Sequence, residues 1–315
     1  MKILQTVRKI PGGMMVVPLL LGTAVNTFFP QFFEVGGFTE ALFKTGSTPI
    51  LAVFLFCNGA QISLKEAGPS LGKGTALLFS KLVVGGILGI VVNYFFGAAG
   101  LLGITPLAII GSLTNSNGGL YAALASEYGD ASDVGAVSVV SLNDGPFLTM
   151  MVLGASGIAS IPFTALIATI IPIFIGFVLG NLDKEMAKFL APGTEMIIPF
   201  FAFPLGAGLS FGQLFEAGIS GIILGLACVV LTGIAGYYTF KLIRADNPQV
   251  GAAIGTTAGN AVGTPAALAA ADPSLSGIVG IATAQIAAAI IVTAILCPVL
   301  VNTVSNWEKR KQAKN

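Results

Sequence analysis

Apolar residues collect into ten stretches along the chain, at about 14–33, 47–64, 74–96, 103–127, 133–155, 161–181, 192–211, 218–241, 249–271 and 277–303. Short breaks rich in charge, Pro or Gly divide them. A helix rising 1.5 Å per residue needs roughly 20 mostly apolar residues to cross a bilayer, and every stretch comes close to that length. The breaks leave no room for a water-soluble domain. The pattern therefore predicts an all-α, polytopic membrane protein of ten transmembrane helices. After Asn302 only a brief basic tail remains, Trp307 to Asn315, whose Trp suits the membrane interface.

The positions of the basic residues orient these spans. With a cytoplasmic N-terminus, thirteen of the fifteen Lys and Arg fall in inside loops or tails, including Lys2, Arg8, Lys9, Lys73, Lys241 and Lys309–Lys311. Lys44 is outside, and Lys81 sits in the inner part of the third stretch, from which it is expected to snorkel inward. This asymmetry sets both termini in the cytoplasm of a cell with an inner membrane, and it demands an even number of spans. The first stretch follows Lys2, Arg8 and Lys9 as a signal peptide would. It is long enough to span and has no small-x-small cleavage pattern, so it reads as a retained helix.

Composition narrows the function. The chain of 315 residues is 55% hydrophobic and 9% charged, with a mean hydropathy of +0.91, whereas soluble domains carry about 25% charged residues. A net charge of +1 offers no field for nucleic acid. His is absent, which excludes His-based metal sites, triads and proton relays, and no cofactor is expected. Cys57, Cys228 and Cys297 stand apart within apolar stretches and read as packing residues.

An internal repeat is visible. Phe54-Leu-Phe-Cys-Asn-Gly-Ala-Gln-Ile-Ser63 matches Phe201-Ala-Phe-Pro-Leu-Gly-Ala-Gly-Leu-Ser210, sharing Phe, Phe, Gly, Ala and Ser. Gly86 and Gly89 match Gly233 and Gly236 at the same offset, and Gly119 with Ala122–Ala125 matches Gly263 with Ala266–Ala269. The halves, 1–156 and 157–315, hold five stretches each. An odd number turns the second half upside down, the inverted-repeat plan of secondary carriers.

Two stretches are poor helix material at bilayer depth. The fourth carries Thr114, Asn115, Ser116, Asn117, Gly118 and Gly119 in succession, and the ninth carries Thr256, Thr257, Asn260, Gly263, Thr264 and Pro265. Lipid cannot satisfy freed backbone groups, so such breaks face protein or a water-filled cavity. Asn117 and Thr264 read as N-caps of second half-helices that meet from opposite directions. Each such end presents unpaired N–H groups and roughly half a positive charge. Together they make a site for an anion without Lys or Arg. Asn115, Asn260, Thr114, Thr257 and Gln285 are the expected hydrogen-bonding partners of its other oxygens. In the fifth stretch, Asn143 and Asp144 lie at bilayer depth. A charged Asp there costs several kcal/mol unless paired or wetted, which makes Asp144 a natural proton carrier; Gln285 falls opposite Asn143 in the repeat. Glu127, Asp130 and Asp133 read as a solvated loop. A lone Asp without His supports no intramembrane enzyme.

Ile10-Pro-Gly-Gly-Met-Met15, Asn117-Gly-Gly-Leu-Tyr-Ala122, Gly145-Pro-Phe-Leu-Thr-Met150, Gly180-Asn-Leu-Asp183 and Ile198-Pro-Phe-Phe-Ala-Phe203 together resemble the 2-keto-3-deoxygluconate permease family, over essentially the whole chain. The resemblance implies proton-coupled uptake of a sugar-acid anion by a secondary carrier. It also implies the fold of the bile-acid/sodium symporter-like carriers, with ten helices in two inverted five-helix repeats and crossed, discontinuous helices four and nine. A sodium-coupled carrier of another small organic anion and a passive channel are the alternatives.

Overall fold

The computed structural model describes residues 2–10, 13–62, 64–143 and 145–312, with side chains throughout except at 64–69, 213, 216 and 312. Asp144 and Ser63 lie outside the described residues. The apolar stretches wind into helices, and among the described residues the only extended pairing is an isolated bridge between Leu101 and Ile104. In chain order the principal helices are α1 (Gly13–Phe28), α2 (Ser47–Gln61), α3 (Leu64–Phe96), α4 (Pro106–Leu113), α5 (Gly118–Tyr128) and α6 (Phe147–Ala155). They continue with α7 (Phe163–Leu182), α8 (Ile198–Ala207), α9 (Phe211–Ala227), α10 (Gly233–Leu242), α11 (Thr264–Ala271) and α12 (Val279–Gln312).

Among the described residues, five helical segments are long and apolar enough to cross a membrane: Ser70–Ala99, Phe163–Leu182, Lys184–Ala207, Ala217–Leu242 and Pro273–Lys311. Two pairs bent by 58°, Gly37–Phe43 with Ser47–Gln61 and Ala131–Asn143 with Phe147–Ala155, bring the number to as many as seven when each pair is taken as one span. The other three expected spans are not single long helices. α1 has 16 residues, and the fourth and ninth stretches are each interrupted midway. Large apolar side chains such as Phe79, Ile87, Phe163 and Phe174 point outward. Water would penalise that exposure and a lipid surround would not.

Two helix contacts are built alike. α1 packs along α8, and α2 along α7. A Cβ placed on Gly22 would run into the carbonyl of Phe203, and one on Gly206 into that of Leu19. In the other pair, Gly59 faces the carbonyl of Ile173, and Gly176 that of Phe56. Gly59 and Gly206 are the glycines that the sequence repeat superimposes. Backbones this close admit no side chain, as in small-residue helix interfaces generally. Gly206→Val is therefore expected to lower stability by on the order of 3 kcal/mol, read as a fall in melting temperature in detergent; an unchanged melting curve would mean the two helices part without cost.

The reading of Asp133 needs correction. Asp133 is not in a solvated loop but fully buried. It accepts hydrogen bonds from Lys73 Nζ at 2.6 Å, Asn247 Nδ2 at 2.8 Å and the Asp130 N–H at 3.0 Å, the last closing a capping box around residues 130–133. Lys73 comes from α3 and Asn247 from the second half of the chain, so long-range partners compensate the burial of this carboxylate. Asp130 and Glu127 do remain at the surface.

Candidate functional site

α4 is a short, wholly buried helix started by Thr105, whose hydroxyl accepts from the Ala108 N–H at 3.1 Å, and by Pro106 at the first helical position. It stops at Thr114, and α5 starts afresh at Gly118. Asn117 caps it, Oδ1 accepting from the Leu120 N–H at 2.9 Å. The freed groups between them find side chains. Asn143 and Ser116 bond reciprocally, the Ser116 N–H to Oδ1 at 3.2 Å and Nδ2 to Oγ at 3.0 Å.

The second break is built differently from the expectation. A 3₁₀ turn at Ala252–Ile254 is followed by non-helical residues 255–258, and the chain then resumes as a 3₁₀ turn, Gly259–Gly263. Thr264 is already helical, with φ −59° and ψ −45°, so it is not an N-cap; that position belongs to Gly263. Pro265 has no N–H to place, which lets tighter i→i+3 turns lead into α11. Thr257 is held by its N–H to Thr293 Oγ1 at 3.1 Å. The side chain supporting this break is thus Thr293 rather than Gln285.

The two breaks touch. The Asn117 N–H donates to Thr256 Oγ1 at 3.0 Å, and Thr257 Oγ1 donates to the Ser112 carbonyl at 3.3 Å. Beside the junction opens a cavity of about 900 Å³. Its floor is Ser116–Gly119 from one break and Ala258–Asn260 from the other, with walls from α1 and α2. At its mouth Arg8 grips Glu195 through two hydrogen bonds of 2.8 and 2.9 Å. That hydrogen bonding and the charge of Glu195 raise the Arg8 pKa further above its ordinary value.

The residues singled out from the sequence divide accordingly. Ser116, Asn117, Gly118, Gly119 and Asn260 line the cavity. Thr114 bonds Ile110 O and Thr149 Oγ1 at 2.7 and 2.9 Å, so it closes its own helix end. Gln285 lies elsewhere, accepting from the Thr105 N–H and hydroxyl and donating to the Gly103 carbonyl and Ser220. Gly263 packs against Leu51 and Leu205. Among the described residues, the side-chain amides of Asn115 and Asn260 and the Thr264 hydroxyl are buried without a partner. Leaving such groups unpaired costs about 1–3 kcal/mol each. Asn260 is also a lining residue of the cavity, although its amide atoms themselves are buried.

The family model for 2-keto-3-deoxygluconate permeases matches residues 4–310. This chain belongs to that family. A 2-keto-3-deoxygluconate permease of Salmonella typhimurium is 49% identical, the alignment covering 100% of this chain and 98% of the relative. The Bacillus subtilis permease is 41% identical over 100% and 97% of the two chains, and that of Escherichia coli 38% over 100% and 98%. Membership of a permease family, together with the apolar helices, makes this a multi-pass membrane transporter and not an enzyme.

Within the permease family's framework one residue stands out that the sequence reading misplaced. Lys81 does not snorkel. It is fully buried, and its ammonium donates to the carbonyl oxygens of Ile254, at 2.5 Å, and Thr256. Both carbonyls belong to the second break. A Lys inside an apolar stretch was the available signal, but its partners lie 173 and 175 residues away. The Arg8–Glu195 pair, 187 residues apart, was hidden for the same reason.

Proposed function

We propose that this protein imports 2-keto-3-deoxygluconate, a sugar-acid anion, with a proton, by alternating access across the cytoplasmic membrane. The observation that carries the reading is the cavity floor. Two helix breaks from opposite halves of the chain line one space, with a capped helix N-terminus on its floor and the buried, unpartnered amide of Asn260 beside it. The relatives that match over their full length are named for this substrate. The volume lies within the roughly 300–1,000 Å³ of small-molecule sites.

In this reading the substrate carboxylate rests on the first-turn N–H groups of α5 at Gly118 and Gly119. Asn260 and Ser116 bind hydroxyl or keto oxygens, and Arg8 at the mouth draws the anion in. Both termini are cytoplasmic, so the cavity, whose mouth carries Arg8, is open to the inside. The chain crosses the membrane ten times, in inverted halves 1–156 and 157–315, with broken stretches four and nine crossing at the junction. The paired glycine contacts, Gly22 with Gly206 and Gly59 with Gly176, support that symmetry. Asp144 carries the coupling proton beside Asn143. One proton per monovalent anion makes transport electroneutral; a second adds about 2.3 kcal/mol of driving force per 100 mV of membrane potential.

The test is uptake of labelled 2-keto-3-deoxygluconate into proteoliposomes that are acidic outside. Accumulation above equilibrium, unchanged when choline replaces sodium, is the expected result. Equilibration without accumulation would make the protein a channel, dependence on sodium would make it a sodium symporter, and no uptake would remove the substrate.

A further inference from the structure

A carbonyl freed by a helix break inside a membrane protein needs a hydrogen-bond donor or a cation from the protein, since lipid supplies neither. The second break takes several carbonyls out of the helical ladder, although that of Ile254 still accepts from the Thr256 N–H at 2.7 Å and the Thr232 hydroxyl at 3.4 Å. Ile254 ends a 3₁₀ turn, and Thr256 lies in the non-helical residues that follow. Free monovalent cations are commonly held by carbonyls at broken helices. Here Lys81 brings the cation on its own stem from α3, the four methylenes buried and the ammonium between the two carbonyl oxygens. No carboxylate pairs with it among the described residues. Its charge rests on backbone dipoles, and the thiol of Cys228 shares the Thr256 carbonyl at 3.5 Å.

The position couples this cation to the cavity floor. Thr256 gives its carbonyl to Lys81 and its hydroxyl to the Asn117 N–H. Asn117 in turn caps the helix whose first turn faces the cavity. Lys81 thus holds the residue that holds the start of α5, although it lines no part of the cavity itself.

We propose that Lys81 is a tethered cation filling a monovalent-cation site at the second break, so that the substrate site assembles without sodium. The inference rests on the reading of the cavity as the transport site, and its test carries a readout that needs no substrate. Purified protein would be melted in detergent, and its binding of 2-keto-3-deoxygluconate measured, with sodium or N-methylglucamine at equal ionic strength. The wild-type protein should give the same melting temperature and affinity in both. Lys81→Ala should melt earlier and bind at least about tenfold more weakly, the worth of hydrogen bonds to a charged group. Sodium or n-propylammonium, the latter matching the atoms removed, should restore both.

A wild-type protein that needs sodium for stability or affinity would overturn the proposal, whether or not the variant folds. So would a folded Lys81→Ala protein that is unperturbed, or one that no small cation rescues. If the wild type binds no 2-keto-3-deoxygluconate in either buffer, the substrate assignment fails, and the melting comparison still decides the role of Lys81.

Discussion

Gly119→Leu should abolish uptake while the protein still inserts and folds. A Cβ at Gly119 would meet only Asn117 Oδ1, at 3.6 Å, which is ordinary contact, so the backbone tolerates a side chain there. The residue is exposed on the cavity floor, one position into the first turn of α5. A Leu side chain projecting from it would cover the N–H groups assigned to the substrate carboxylate. Losing two charge-assisted hydrogen bonds corresponds to a fall in affinity of about a hundredfold or more. Gly263→Leu is the contrasting variant. There a Cβ would already press on Leu51 Cδ2 at 3.0 Å, so its first effect should be a lower melting temperature. Binding assays and melting curves on both proteins separate the two outcomes. Wild-type affinity in Gly119→Leu would show that substrate does not use this floor.

Asp144→Asn should uncouple transport from the proton gradient. Proteoliposomes bearing the variant are expected to bind substrate and exchange labelled for unlabelled 2-keto-3-deoxygluconate, yet to show an accumulation ratio near one when acidic outside. The reason lies in the chemistry of the position. A carboxylate at bilayer depth costs several kcal/mol unless neutralised or wetted, so gaining and losing a proton there changes the energy of crossing. An amide cannot. Its neighbour Asn143 is buried and bonded to Ser116 on the cavity floor, which places residue 143 at the broken span that must move. Undiminished accumulation in mildly acidic medium would take Asp144 out of the mechanism.

How much of this was readable beforehand varies by residue. Asn117 before two glycines was recognisable as a helix start, because capping depends on a few adjacent residues. Thr264-Pro265 carried the same local signal and marked the start of α11, but the cap falls one residue earlier, at Gly263, because the chain reaches this helix through a 3₁₀ turn. Thr114, Thr257 and Asn260 looked alike as polar residues in apolar stretches. Two of them turn out to tie down backbone at the breaks, and only Asn260 is among the residues lining the cavity. Gln285 was paired with Asn143 by an offset in the repeat, whereas three of its four hydrogen bonds anchor the start of α4 and the fourth reaches Ser220 of α9.

The helical membrane class, the two interrupted stretches and the family were settled by the order of residues alone, because hydropathy, propensity and motifs are sums over neighbours in the chain. Folding in three dimensions decided which polar groups face the open space and which are spent on backbone. It also buried Asp133 against Lys73 and Asn247 and seated Lys81 on the carbonyls of Ile254 and Thr256. Those partners stand tens to nearly two hundred positions apart, and in a medium without water each polar group must pair with whatever the packing of distant helices brings within 3 Å.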